Sequence, residues 1–273
     1  MKKYLSTMLL AAAFAVGLGL LLYPAVSDAW NALHQSEAIA GYSRTVARLD
    51  DISYDYVWDA ARDYNRALIS REDRWFPTDA EHAQYESLLN VAGSGVMGYV
   101  EIPALEVKLP VYHGADEAVL QVGVGHIEGS SLPVGGVGTH CVLSGHRGLP
   151  SAKLFSNLDR MAVGDEFMLH VLDETLTYRV DQILVVEPGD VAALEIDLAA
   201  DLCTLVTCTP YGVNTHRLLV RGRRAKTAEE AAPVRVANGA VQVDEWRIAP
   251  FAAAALLLIA GLAGRICRRT ERR

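Results

Sequence analysis

The sequence predicts a mainly β domain, a barrel or sandwich of seven or eight strands behind N-terminal helices, set between two transmembrane helices. Three observations predict it. Short β-branched runs separated by Gly, Pro, Asn and Asp fill the chain over 95–224. Apolar residues recur at three- and four-residue steps over 29–68. Uncharged apolar stretches occupy both ends, 5–26 and 248–264.

In the N-terminal segment (1–28), 22 consecutive residues, 5–26, carry no charge. At about 1.5 Å per residue they are long enough to cross a hydrocarbon core of about 30 Å. They predict a span or an uncleaved signal anchor. A cleavable signal peptide is the alternative, because Lys2 and Lys3 make a basic start and small residues follow at 27–29. The apolar run is longer than the usual signal region of about 7 to 15 residues, which favours the anchor. Residues 29–94 predict two helices broken near Asp50 to Ser53. Their stripe of Leu33, Ile39, Val46, Val57, Ala61, Tyr64 and Leu68 packs on the main domain. The stretch 71–77 fits neither period and is read as a loop, and a short helix follows at 80–89.

The domain at 95–225 carries strands at 96–102, 107–112, 140–144, 166–171, 175–187, 202–208 and 216–221, with one helical turn at 151–158. A small, polar tether (226–247) leads to a second span (248–264) of 17 uncharged residues and a tail (265–273) with Arg265, Arg268, Arg269, Arg272 and Arg273. A buried core helix is the other reading of 248–264, but the basic tail favours a stop-transfer helix. Basic clusters at both outer ends put both termini in the cytoplasm and the middle outside. That middle, 27–247, holds 32 acidic against 18 basic residues, a balance of −14. Nucleic-acid binding needs the opposite sign and is excluded. Four cysteines are too few for a disulfide-framed miniprotein.

Chemistry concentrates near Cys208, which closes a hydrophobic strand before the turn Thr209, Pro210, Tyr211, Gly212. A thiol at a strand end becomes reactive when cationic or imidazole groups lower its pKa. His146, in a Ser-Gly-His-Arg-Gly segment after a strand, is one candidate. Arg217 is the other, nine residues beyond Cys208, where a hairpin return sets it beside the sulfur. The bland alternatives are a buried small hydrophobe, a solvated loop histidine and a surface ion-pair partner.

The wording of these segments is more specific. Residues 204–222, reading TLVTCTPYGVNTHRLLVRG, with 143–150 (LSGHRGLP) and 130–136 (SSLPVGG), closely resemble the active-site segments of class C sortases, the pilus-assembling transpeptidases of Gram-positive bacteria. The resemblance runs over about 64–224, and two spans fit the family's arrangement. It implies a closed sortase β-barrel, with Cys208 as nucleophile, His146 as general acid and base, and Arg217 as stabiliser of the oxyanion or substrate. It also implies the reaction. The thiolate cleaves a Leu-Pro-x-Thr-Gly-like sorting motif between Thr and Gly through a thioester, which a pilin lysine resolves as an isopeptide bond. The implied partners are pilins or other surface proteins with that motif, and no cofactor is implied.

In class C relatives a loop ahead of the barrel carries an Asp-Pro-aromatic lid. The matching place reads Asp73, Arg74, Trp75, so Asp73 is expected to face Arg217 and Trp75 to cover Cys208, on a loop that has lost the stiffness of proline. Beside the parallel strands the resemblance implies, Cys141 and Cys203 become neighbours, either two buried thiols or a disulfide pair. A zinc site from His140, His146, Cys203 and Cys208 has the wrong spacing for structural zinc, so no metal is expected. Cys267, beyond the second span, is expected to be reduced. The rival functions are a sortase that anchors proteins to the cell-wall peptide and a non-catalytic membrane-tethered scaffold.

Overall fold

The computed structural model describes residues 2–149 and 151–225; the expected tether, second span, Cys267 and basic tail lie outside them. Eight strands form: β1 (Val96–Ile102), β2 (Val107–His113), β3 (Val124–His126), β4 (Thr139–Ser144), β5 (Glu166–Val171), β6 (Glu174–Val186), β7 (Asp201–Thr209) and β8 (His216–Arg224). They close into a barrel in the order β1-β2-β3-β4-β7-β8-β6-β5, which decides between barrel and sandwich. The joins β2–β3 and β4–β7 are parallel and the others antiparallel.

Period-two alternation gives each strand two faces. Cys141 and Leu143 of β4, Cys203 and Leu205 of β7, and Leu218 and Val220 of β8 enter the main core with Phe167, Tyr178 and Leu132. The residues between them, Val142, Val206 and Leu219, form a second apolar cluster with Leu194 on the opposite face of the sheet. That outer cluster lies on the same strand faces as the candidate site.

Helix α1 (Lys2–Val46) is continuous. Its stretch Leu10–Val46 is long and apolar enough to cross a membrane. Leu10, Leu20 and Leu21 on its first half are exposed, whereas Ile39, Tyr42 and Val46 near its end are buried. The Tyr42 hydroxyl donates to the Met97 carbonyl at 3.0 Å and accepts from the Leu172 amide at 2.7 Å, fixing the helix to the barrel. After a break, Asp50 caps α2 (Asp51–Ile69) by accepting from the Ser53 amide at 2.8 Å. This helix buries Trp58, Ala61, Tyr64 and Leu68, so the expected stripe does face the domain. Asn65 exchanges two hydrogen bonds with the Leu132 backbone, anchoring the connection between β3 and β4. The reciprocal Thr78 and Glu81 capping box starts α3 (Asp79–Ser87), which buries Tyr85.

Three local details differ from expectation. Strand β3 has three residues, too few to show alternation, and α4 (Glu117–Val122) has six, started by an Asp116 side chain that accepts from the Val119 amide. The helical turn expected at 151–158 is instead a set of turns at 154–157 followed by a 3₁₀ turn at Leu158–Arg160. Leu154 there has φ of 37°, a left-handed conformation no right-handed helix accommodates.

Candidate active site

The β7–β8 hairpin makes the first half of the site. Cys208 and Arg217 are directly paired across the antiparallel ladder, followed by Thr209 and His216. Their alternation places them on the face that carries Val206 and Leu219. Cys208 is partly exposed where the buried run of β7 ends. Beyond it the chain turns through a cis Thr209–Pro210 bond, with Gly212 and Asn214 at positive φ. Amides of Val213 and Asn214 close the turn on the Pro210 carbonyl at 3.1 and 3.0 Å. The Arg217 guanidinium folds back on this turn, donating to the carbonyls of Asn214 at 3.3 Å and His216 at 3.2 Å.

The parallel β4–β7 ladder supplies the second half. Its register ends at Ser144 opposite Val206, and the Gly145 amide continues it by donating to the Val206 carbonyl at 3.0 Å. Two residues beyond that pair stand Cys208, still on β7, and His146, in the loop that leaves β4. Gly145 must be glycine because a Cβ would come within 2.6 Å of the buried Phe155 ring. The Phe155 amide in turn donates to the His146 carbonyl at 3.1 Å. Arg147 joins the halves: one guanidinium nitrogen donates to Thr209 Oγ1 at 3.3 Å and the other to Asp159 at 2.6 Å. The neighbour of His146 thus holds the neighbour of Cys208. His146 Nε2 is buried without a hydrogen-bond partner, and Glu117 Oε2 stands 3.6 Å from it.

The loop before α3 lies over the outer cluster. Trp75 packs with Val142, Leu194, Val206 and Leu219. Arg74 is buried, donating to the carbonyls of Gly129 at 3.4 Å and Leu194 at 3.3 Å, and to Glu195 Oε2 at 2.9 Å. Its guanidinium also sits 4.4 Å from the centre of the Trp75 ring. His140 supports the same connection, with Nδ1 2.8 Å from the Glu195 carbonyl and Nε2 2.7 Å from Thr204 Oγ1. Burial holds this imidazole below the usual histidine range, and the Glu195 carbonyl only partly offsets it.

A model of the sortase domain matches residues 100–225. The solved sortase C1 of Streptococcus agalactiae is 50% identical, with a TM-score of 0.68, the match covering 70% of this chain and 99% of that one. This chain belongs to the sortase family. Sortase C of Streptococcus pneumoniae is 43% identical over 72% of this sortase and 100% of its own chain, at a TM-score of 0.62. The class C resemblance read from 130–136, 143–150 and 204–222 therefore holds. Among curated proteins, sortase A of Streptococcus agalactiae is 31% identical over 49% of this sortase and 55% of its own length. Sortase D of Bacillus subtilis is 28% identical over 46% and 63%. The sortase thus spans between about half and two thirds of these curated relatives.

Of the residues singled out in this sortase, the structure brings Cys208, Arg217 and the His146 segment to one rim of the barrel. The lid residues are placed differently from expectation. Asp73 is exposed, and no ion pair joins it to Arg217 among the described residues. Trp75 packs beside Val206, one same-face step before Cys208 on β7. The reason is Arg74: two carbonyls and the Glu195 carboxylate draw the side chain that replaces proline into the protein, which turns Asp73 outward. Cys141 and Cys203 are free thiols facing the barrel interior, and His140 has both ring nitrogens engaged. Sequence reasoning missed Glu117 and Glu195, because both meet their partners only through tertiary structure. The one local signal was the Asp116-Glu117 helix start.

Proposed function

We propose that this sortase is a cysteine transpeptidase that polymerises pilins. The observation that carries the chemistry is the cross-strand pair of Cys208 and Arg217 at an open strand end, beside the His146 segment that Arg147 binds to Thr209. The Cys208 thiolate attacks the Thr carbonyl carbon of a Leu-Pro-x-Thr-Gly-like motif. Arg217, always charged and rich in donors, stabilises the resulting oxyanion. As the tetrahedral species collapses, His146 gives a proton to the departing glycine amine, leaving a thioester on Cys208. A pilin lysine amine then attacks the thioester, yields its proton to His146 and releases the thiolate as the isopeptide bond forms. Glu117 stands where its carboxylate stabilises the protonated His146 ring.

The choice of polymerase rests on the 50% identity to a sortase C1 over nearly all of that chain, and on the pilin substrate specificity named for the pneumococcal sortase C. The rival reading is transfer to a cell-wall peptide amine. Supplying both acceptors to one acyl-enzyme decides between them: a lysine-linked pilin product supports polymerisation, and a wall-peptide product alone overturns it.

The loop carrying Arg74 and Trp75 is a lid in this proposal. Trp75 occupies the apolar cluster beside Cys208, where the apolar residues of a sorting motif would lie, and Arg74 latches it to Glu195. The solved sortase A of Corynebacterium diphtheriae described as a lid mutant, 42% identical, is a relative in which such an element has been altered. The apolar helix α1 anchors the enzyme in the cell membrane with the catalytic domain on the outer face and the N-terminus in the cytoplasm; the second span expected from the sequence at 248–264 would return the C-terminus to the cytoplasm as well.

A further inference from the structure

We propose that Cys141 and Cys203 form a second thiol site in this protein, a pair that oxidises to a disulfide stapling β4 to β7 inside the barrel. The two are register partners in the parallel β4–β7 ladder. Both point into the main core, with exposures of 2% and 0%, on the face opposite Cys208. Neighbouring strands lie about 4.8 Å apart, within the Cα separation of about 4.4 to 6.8 Å that a disulfide spans.

Once the barrel is closed, its surroundings make the two thiols unequal. In the closed barrel burial pushes the Cys203 thiol up, and Cys141 is the more acidic of the two. His126 is fixed, with Nδ1 3.0 Å from the Tyr85 hydroxyl and Nε2 2.9 Å from the Ser131 carbonyl. The proposed reaction leaves these residues with no part to play: Cys141 lies five positions before His146, and Cys203 five before Cys208. A covalent link there fixes the relative height of the two strands that carry the proposed catalytic groups.

The oxidant is an external disulfide, of the glutathione or protein type, met by the exported chain before β4 and β7 close. In that open chain either cysteine can start; written for Cys141, its thiolate attacks one sulfur of the external disulfide, forming a mixed disulfide and expelling one thiolate. Cys203 loses its proton and attacks the Cys141 sulfur, expelling the second thiolate. The two cysteines lose two hydrogens in all, and the external disulfide becomes two thiols. Enclosure then protects the product from reductants.

The test needs no activity and stands apart from the transpeptidase reading. Full-length Cys208→Ala protein is taken from an exporting host into detergent, alkylated at once without reductant and digested with trypsin. The expected result is one linked species joining peptides 109–147 and 180–217, two hydrogen masses lighter than their sum. The same chain treated with reductant under denaturing conditions gives the two peptides separately. The oxidised form is also expected to melt on the order of 5 to 10 °C above the reduced form. A Cys141→Ala, Cys203→Ala double variant should show no dependence on reductant. Recovery of both peptides alkylated at Cys141 and Cys203 from the folded, unreduced protein overturns the proposal. So does a melting temperature that is the same for the oxidised protein and for protein refolded after reduction under denaturing conditions.

Discussion

Arg217 faces Cys208 across one rung of the hairpin with donors turned onto the carbonyls of Asn214 and His216, a contact that a substrate oxyanion can replace. Substitution Arg217→Lys keeps the charge and removes the planar fork. It is expected to lower kcat for peptide cleavage by about 10²- to 10³-fold with little change in KM, measured on the purified full chain. Equal kcat values would contradict the assigned role. Glu117→Gln should be milder, because the carboxylate is largely exposed: about a two- to fivefold loss of kcat/KM with an unchanged melting temperature. A larger drop accompanied by a lower melting temperature would make Glu117 structural. At this scale the sequence was readable where the partners share a hairpin. Nine residues and a turn suffice to set Arg217 beside Cys208, whereas the approach of Glu117 to His146 depends on where the connection between β2 and β3 lands.

The element that departs most from expectation is the loop at 71–77. Its Asp-x-aromatic wording is legible, but its docking is decided by the carbonyls of Gly129 and Leu194 and by Glu195, all far away in sequence. If Arg74 latches the lid, Arg74→Ala should raise the rate at which a small disulfide reagent labels Cys208 by several-fold, and Trp75→Ala should raise it at least as much. Unchanged labelling in both would reduce the loop to a surface strap. The clamp at Glu195 also involves His140, buried and neutral. Unfolding exposes a ring that takes up a proton near pH 6.5, whereas in the folded protein it does so only at lower pH. The stability held by His140 is therefore complete above about pH 6.5 and is lost as the pH falls through the folded value. Melting temperatures followed from pH 7 to pH 5 should decline, and decline less steeply in His140→Gln; parallel curves would remove His140 as the cause. The strands themselves were legible because alternation and turn residues mark them. Strand β3 and helix α4 were not, being shorter than either period needs to declare itself.

The described residues form a closed barrel whose interior is filled by one face of each strand and whose rim carries the thiol, with α1 packed on its side as an apolar helix long enough to span a membrane. Closure was not derivable from strand count alone, since seven or eight runs suit a sandwich equally well; the parallel β4–β7 join, which ends beside Val206 and so brings the His146 loop to the end of β7 that carries Cys208, is a property of topology. The central claim is that this rim forms and transfers a thioester. Mass spectrometry of the full-length chain in detergent, incubated with a Leu-Pro-x-Thr-Gly pilin peptide and a lysine-bearing pilin domain, tests it most directly. The expected result is an acyl adduct on Cys208 that decays into an isopeptide-linked product and is absent in Cys208→Ala. No adduct in the wild type or in Trp75→Ala, or the same transfer in Cys208→Ala, would contradict it.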